Sequence, residues 1–151
     1  MRAVVQRVSR ASVSVEGSVV GQIELGLAAL VGVSDVDSEA DAIAVADKLV
    51  GLRIFPDDEG KMNRSVVEAG GGVLVISQFT LLADVRKGRR PSFVHAAIPV
   101  VADPLVQRLA GAISSHGVPV ANGEFGAHME VDLINDGPVT IILETVDGRI
   151  Q

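Results

Sequence analysis

Hydrophobic and polar positions alternate with a period of two through the opening of the chain. Ser12-Val13-Ser14-Val15-Glu16 is the clearest run, and such alternation predicts a half-buried strand. Gly17 and Ser18 supply turn chemistry, and Val19 to Leu25 reads as the return strand, with Val19, Ile23 and Leu25 on one face. Leu27 to Val33 is almost wholly apolar, which predicts a strand buried on both faces. The period then lengthens. Ser38 can cap a helix, with Asp41 three residues on completing a capping box. Ile43, Ala46, Leu49 and Val50 form its apolar stripe, with Arg53 out of place on the same line. Pro56-Asp57-Asp58-Glu59-Gly60 ends that unit as a turn.

The second half repeats the vocabulary. Gly70-Gly71-Gly72 precedes Val73-Leu74-Val75-Ile76, a β-branched run that predicts a central strand; no phosphate-loop spacing accompanies the glycines, so they read as a flexible turn. Asp103 and Pro104 predict the start of a second helix, with Leu105, Leu109, Ala112 and Ile113 buried and Gly117 and Pro119 at its end. Val131 and Leu133 alternate with Glu130 and Asp132 in one strand, and Val139 to Val146 forms another. Asn135-Asp136-Gly137-Pro138 between them reads as a plain hairpin turn. Strands outnumber helices and several are hairpin-linked. The expected fold is a single mixed α/β domain over residues 1–151, with helices covering one side of the sheet.

Composition narrows the chemistry. There are no cysteines among 151 residues, so disulfides, thiolate nucleophiles and cysteine zinc sites are excluded. His95, His116 and His128 show no metal-ligand spacing, and no metal or other cofactor is expected. No G-x-S-x-G elbow supports a conventional serine hydrolase. Charges interrupt the N-terminal stretch, and no apolar run reaches the roughly 18 residues of a membrane span; a cytoplasmic protein is expected. The net charge is −6, which argues against a general nucleic-acid wrapper. Yet Arg86, Lys87, Arg89 and Arg90 crowd into one loop. That loop is either a solvated charged surface or a dock for a small phosphate-rich element such as an RNA end.

Any catalysis must lean on hydroxyls, amides and backbone groups. Ser77-Gln78-Phe79-Thr80 leaves the end of the buried Val73–Ile76 run, where a rigid element can aim polar groups into a pocket. On the residues alone, a strand end satisfying its own backbone is the better reading. Phe125-Gly126-Ala127-His128-Met129 could line a flat pocket for a ring or simply pack in the core.

Taken together, these stretches resemble the D-aminoacyl-tRNA deacylase family, also called D-tyrosyl-tRNA deacylase. The similarity runs nearly end to end. It includes Met1-Arg2-Ala3-Val4-Val5-Gln6-Arg7-Val8, Arg53-Ile54-Phe55, Gly60-Lys61-Met62-Asn63 and Ser77-Gln78-Phe79-Thr80-Leu81. It continues through Lys87-Gly88-Arg89-Arg90-Pro91-Ser92-Phe93, Phe125-Gly126-Ala127 and Asn135-Asp136-Gly137-Pro138-Val139-Thr140. Val85 departs from the pattern, where a polar residue is expected. The resemblance implies a three-layer α/β/β homodimer that hydrolyses the ester of D-aminoacyl-tRNA at its 3′ end, and of glycine mischarged onto tRNA. It implies a catalytic role for Ser77, Gln78, Phe79 and Thr80. It implies a chiral gate of Gly137 and cis Pro138 lent by the partner subunit, supported by Arg7. Phe125 and Met129 would contact the adenosine, and Arg86, Lys87, Arg89 and Arg90 the tRNA phosphates. A noncatalytic RNA-end-binding dimer is the alternative, and an esterase for small free esters is a weaker one.

Overall fold

In the computed structural model, which describes residues 1–151, one long strand organises the sheet. β1 (Arg2–Val15) turns at Glu16 and Gly17 into β2 (Ser18–Ile23). Both turn residues have positive φ, the conformation that two-residue hairpins favour. The turn thus sits one residue earlier than the Gly17-Ser18 expected, and β2 stops short of Leu25. β3 (Gly26–Gly32) pairs antiparallel with the first half of β1, while β2 pairs with its second half.

α1 (Glu39–Gly51) follows, then a two-stranded ribbon of β4 (Phe55–Pro56) and β5 (Met62–Arg64). β6 (Gly72–Ser77) joins β3 in parallel and runs into a single 3₁₀ turn, Phe79–Leu82. α2 (Pro99–Ser115) leads to β7 (Val120–Asn122), which lies parallel to β6. β8 (Glu130–Val146) covers the free edge of β1, and β9 (Arg149–Ile150) folds back on its end. The spatial order is β7-β6-β3-β1-β8-β9, with β2 also on β1.

The continuous apolar runs of β3 and β6 serve two cores with a period of two. Leu27, Ala29, Val31, Val73 and Val75 face the larger core, which the helices seal with Val45, Leu49, Leu109 and Ile113. Ala28, Leu74 and Ile76 face a smaller core with Val8, Ala11 and Val13. That second core exists because the sheet curls over itself. β2 passes so close to β7 that a Cβ at Gly21 would meet the Asn122 carbonyl oxygen at 2.5 Å. The result is a mixed α/β domain: one layer of helices, the sheet, and the curled part of the same sheet beneath.

Three expectations are corrected. α1 ends at Gly51, so Arg53 is not on its stripe; its Nε donates to the Asn63 carbonyl at 2.7 Å and ties the chain to β5. α2 begins at Pro99 rather than at Asp103, and Pro104 lies inside the helix. Proline is tolerated there because the carbonyl it leaves without a donor belongs to Val100, an exposed residue that solvent reaches. Finally, residues 130–146 are one strand and not a hairpin, since both halves pair with β1.

α1 opens as expected. The Ser38 N–H donates to the Asp41 carboxylate at 3.0 Å and the Ser38 hydroxyl at 2.9 Å, while Gly148 N–H donates to its other oxygen at 2.9 Å. Burial pushes the Asp41 carboxyl upward, but the Gly148 and Ser38 donors outweigh it and bring it down to about 2. A depressed folded-state value means stabilisation that is complete above the unfolded-state value near 3.8 and is lost as pH falls towards 2. Asp41→Asn should therefore cost about 1–2 kcal/mol of unfolding free energy at neutral pH. Urea titrations at descending pH should show the gap to the parent protein closing between about pH 4 and pH 2.

Candidate active site

β1 and β8 pair along almost their whole length, with a one-residue bulge at Ser9 and a larger break beside it at Arg7. Gln6 lies opposite Thr140 and Val8 opposite Asn135, so Arg7 alone faces the four residues Asp136–Val139. The surplus residues are pushed out as an exaggerated bulge. Arg7 is buried beneath it. Its Nε donates to the Asp136 carbonyl at 3.0 Å and its Nη1 to the Ile54 carbonyl at 2.6 Å. Asn135 clamps the base of the loop: its Oδ1 accepts the Val139 N–H at 2.8 Å and its Nδ2 donates to Thr140 Oγ1 at 3.0 Å. Gln6 reaches the same hydroxyl.

Gly137 has φ +135°, and a Cβ there would lie 2.9 Å from the Val139 nitrogen and 3.1 Å from Arg7 Nη2. Only glycine fits. The Gly137–Pro138 peptide is cis, and both residues are exposed. A rigid, well-braced loop thus projects into solvent.

The second feature grows from the C-terminal end of β6. Its last residue, Ser77, is followed by Gln78, whose N–H donates to the Val31 carbonyl at 2.7 Å. Gln78 Nε2 donates to Thr80 Oγ1. The 3₁₀ turn starts with the bond from Leu81 N–H to the Gln78 carbonyl, so the N–H groups of Phe79 and Thr80 precede its first bond and have no partner within it. Phe79 is exposed and meets Phe93 edge-to-face, with ring centroids 5.0 Å apart.

A cavity of about 600 Å³ opens beside this strand end. Ser77, Gln78 and Phe79 line it on one side and Phe125 and Met129 on another. Fourteen of its 19 lining residues are hydrophobic, which suits a flat ring better than a charged group. Thr80, Gly137 and Pro138 are not among them. The structure therefore gathers Ser77–Phe79 with Phe125 and Met129, and leaves the Gly-Pro loop apart from the cavity of its own chain. Sequence reasoning passed over Phe93, Ala96, Ala97 and Ile98 as lining residues. These four come from an irregular segment with no periodicity to mark them. His128, within the Phe125–Met129 stretch read as a possible pocket wall, does line the cavity and is the one ionisable side chain on its wall.

The basic loop follows the 3₁₀ turn. Asp84 and Ser92 exchange backbone hydrogen bonds of 2.8 and 3.0 Å that close it. Arg86 is bound to Asp84, with Nη2 2.6 Å from the carboxylate. Hydrogen bonds from the Arg86 guanidinium and N–H hold the Asp84 carboxyl well below the usual carboxylate range. Lys87, Arg89 and Arg90 are exposed and form no salt bridge within the chain. Val85, the departure from the family pattern, points away from any apolar cover at 68% exposure.

The strand end thus presents hydroxyls and amides beside an apolar cavity, and a cationic loop follows it along the chain. The comparisons make the class specific. The family model described as D-Tyr-tRNA(Tyr) deacylase matches residues 4–144. A D-aminoacyl-tRNA deacylase of Symbiobacterium thermophilum is 57% identical over 145 residues, covering 96% of each chain. One of Rhodopirellula baltica is 58% identical over 144 residues, covering 95% of this chain and 99% of the relative. Among solved structures, one titled c-Myc DNA Unwinding Element Binding Protein superposes with a TM-score of 0.91 at 38% identity, covering 97% of this chain and 99% of that one. A probable eukaryotic D-amino acid tRNA deacylase shares the fold, with a TM-score of 0.78 at 20% identity over 93% of this chain and 97% of that one. The chain belongs to the D-Tyr-tRNA(Tyr) deacylase family and is a hydrolase.

The brace under the bulge can be tested by stability. Arg7→Met leaves the Asp136 and Ile54 carbonyls without their charged donor. It should lower the unfolding free energy by about 2–4 kcal/mol, read from the urea midpoint at constant slope.

Proposed function

We propose that this chain hydrolyses the ester linking a D-amino acid to the terminal adenosine of tRNA, and that it also clears glycine from mischarged tRNA. The observation that carries the reading is the Gly137–Pro138 loop: braced by Arg7, exposed, and not part of the lining of the cavity of its own chain. A loop held so firmly and left unused is suited to entering the cavity of a second copy. In such a homodimer its backbone carbonyls would occupy the space an L side chain needs, while a D side chain or glycine's hydrogen would clear them. Rejection by main-chain atoms is blind to side-chain identity, which suits a substrate defined, as in the relatives' description as D-aminoacyl-tRNA deacylases, by its hand and not by its side chain.

The remaining chemistry follows from what the site contains. Adenine would lie against Phe125 and Met129 on the apolar wall. The ester carbonyl would sit at the 3₁₀ turn, where the Phe79 and Thr80 N–H groups can stabilise the oxyanion. Water adds to the carbonyl carbon, the bond to the ribose 3′ oxygen breaks, and that oxygen takes up a proton. The neighbouring 2′-hydroxyl can orient the water. Thr80 Oγ1 accepts a hydrogen bond from the Gln78 amide, a donor that cannot remove the hydroxyl proton. This supports a positioning role for Thr80 and not a nucleophilic one. Lys87, Arg89 and Arg90, exposed and without a salt bridge in the chain, would meet tRNA phosphates, while Arg86 shapes the loop through Asp84. A tRNA substrate assigns the work to the cytoplasm.

Purified protein should release D-tyrosine from D-Tyr-tRNA and spare L-Tyr-tRNA; equal rates on both would sink the reading. Binding of tRNA without ester loss would favour a noncatalytic RNA-end-binding dimer instead. Pro138→Ala should let L-Tyr-tRNA be cleaved or loosen the dimer, and unchanged discrimination in an intact dimer counts against the gate.

Thr80→Ala should keep measurable turnover, reduced about 10- to 100-fold. Complete loss in a folded variant, by circular dichroism, would restore Thr80 as a nucleophile.

A further inference from the structure

Arg2 lies at the end of β1 far from the bulge, and its side chain leaves the strand to meet the 3₁₀ turn. Its Nη1 donates to the Leu81 carbonyl at 2.7 Å, and its Nε donates to the Glu144 carboxylate. Ladder register puts Arg2 directly opposite Glu144 on β8, so the carboxylate that aims the guanidinium is set by strand pairing.

The turn needs such a tether. None of Phe79, Thr80, Leu81 and Leu82 is buried, so packing alone does not hold them. The bonds at the two ends of the turn, Leu81 N–H to the Gln78 carbonyl at 3.2 Å and Ala83 N–H to the Thr80 carbonyl at 3.1 Å, are both at the long end of the usual range. The bond from Arg2 is shorter and charge-assisted. It places a cation on a carbonyl at the C-terminal end of the turn, the sign that aligned peptide dipoles favour.

We propose that Arg2 is a positioning residue for the proposed hydrolysis. Aimed by Glu144, it holds the 3₁₀ turn so that the Phe79 and Thr80 N–H groups and the Thr80 hydroxyl keep a fixed place relative to the cavity. Arg2 touches no substrate. Its effect falls on the transition state, where the oxyanion needs both N–H groups in register, and hardly on binding of the adenosine at Phe125 and Met129. The link to catalysis rests on the deacylase reading above; the mechanical link to the turn does not.

The test compares the parent protein with Arg2→Met, Arg2→Lys and Glu144→Gln, all full length. Amide hydrogen exchange reads the turn, and steady-state kinetics on D-Tyr-tRNA read the reaction. In Arg2→Met, the Leu81 and Ala83 amides should exchange about tenfold faster while the β1–β3 ladder keeps its protection, and kcat should fall about tenfold with KM within about twofold. Arg2→Lys should recover part of both losses, since one ammonium can reach the carbonyl but cannot also span the carboxylate. Glu144→Gln should fall between the parent and Arg2→Met. Unchanged exchange at the two amides overturns the proposal, and so does a rise in KM with kcat intact. Loss of kcat accompanied by a changed oligomeric state or a ladder that exchanges faster throughout also overturns it, as a general structural defect. A parent protein with no activity on D-Tyr-tRNA, in which Arg2→Met still loosens the two amides, rejects the deacylase reading and supports the tether.

Discussion

The pairing of β8 along the whole of β1 is the constraint on which the rest of the structure depends, because it forces four residues to be accommodated opposite one. Pairing on both sides of Arg7, Gln6 with Thr140 and Val8 with Asn135, leaves Asp136–Val139 nowhere to go but outward. The extruded backbone loses its ladder bonds, and the protein replaces them locally. Arg7 serves the Asp136 carbonyl, Asn135 serves the Val139 N–H, and Gln6 and Asn135 share the Thr140 hydroxyl. The loop is exposed in position and yet bonded at its base, the property the proposed chiral gate relies on.

The same strand reaches the strand end after β6. From the middle of β1, Arg7 props the Gly-Pro loop; from its start, Arg2 meets the 3₁₀ turn after β6. β8 carries both the loop and, five residues beyond it, the carboxylate that aims Arg2. The cavity lies between elements that two packed cores make rigid, since β3 and β6 send alternate side chains to opposite faces. The exposed loop Val85–Pro91 stands outside this packing, its two ends closed by the Asp84–Ser92 pair.

The absence of cysteine in the chain, and of any ionisable cavity-lining side chain apart from His128, leaves hydroxyls, amides and main-chain groups to do the chemistry. An aminoacyl ester is already activated, so the demand on the protein is to place water and carbonyl and to exclude the wrong hand. Thr80, hydrogen-bonded by the Gln78 amide, fits that economy.

Local chemistry was legible in the chain wherever a short segment decides its own state. The capping box of Ser38 and Asp41, the Val73–Ile76 strand, the stop at Gly117 and the polar strand end Ser77–Thr80 all depend on neighbours a few residues away. What needed the tertiary structure were relations between distant segments. Asn135–Pro138 has the composition of a hairpin turn, and it becomes a bulge only because β1 pairs with both flanks at once. Asp103 and Pro104 look like a helix start, and the true start at Pro99 is set by where the chain meets the sheet. Arg53 spoils an apolar stripe until the helix is seen to end before it. The cavity wall from Ala96 to Ile98 has no period at all, and Arg2 shows its turn-holding bond only once β6 has brought Leu81 beside it. Periodicity and capping are short-range and are written in order along the chain; pockets and braces come from residues that only folding brings within a few ångströms of one another.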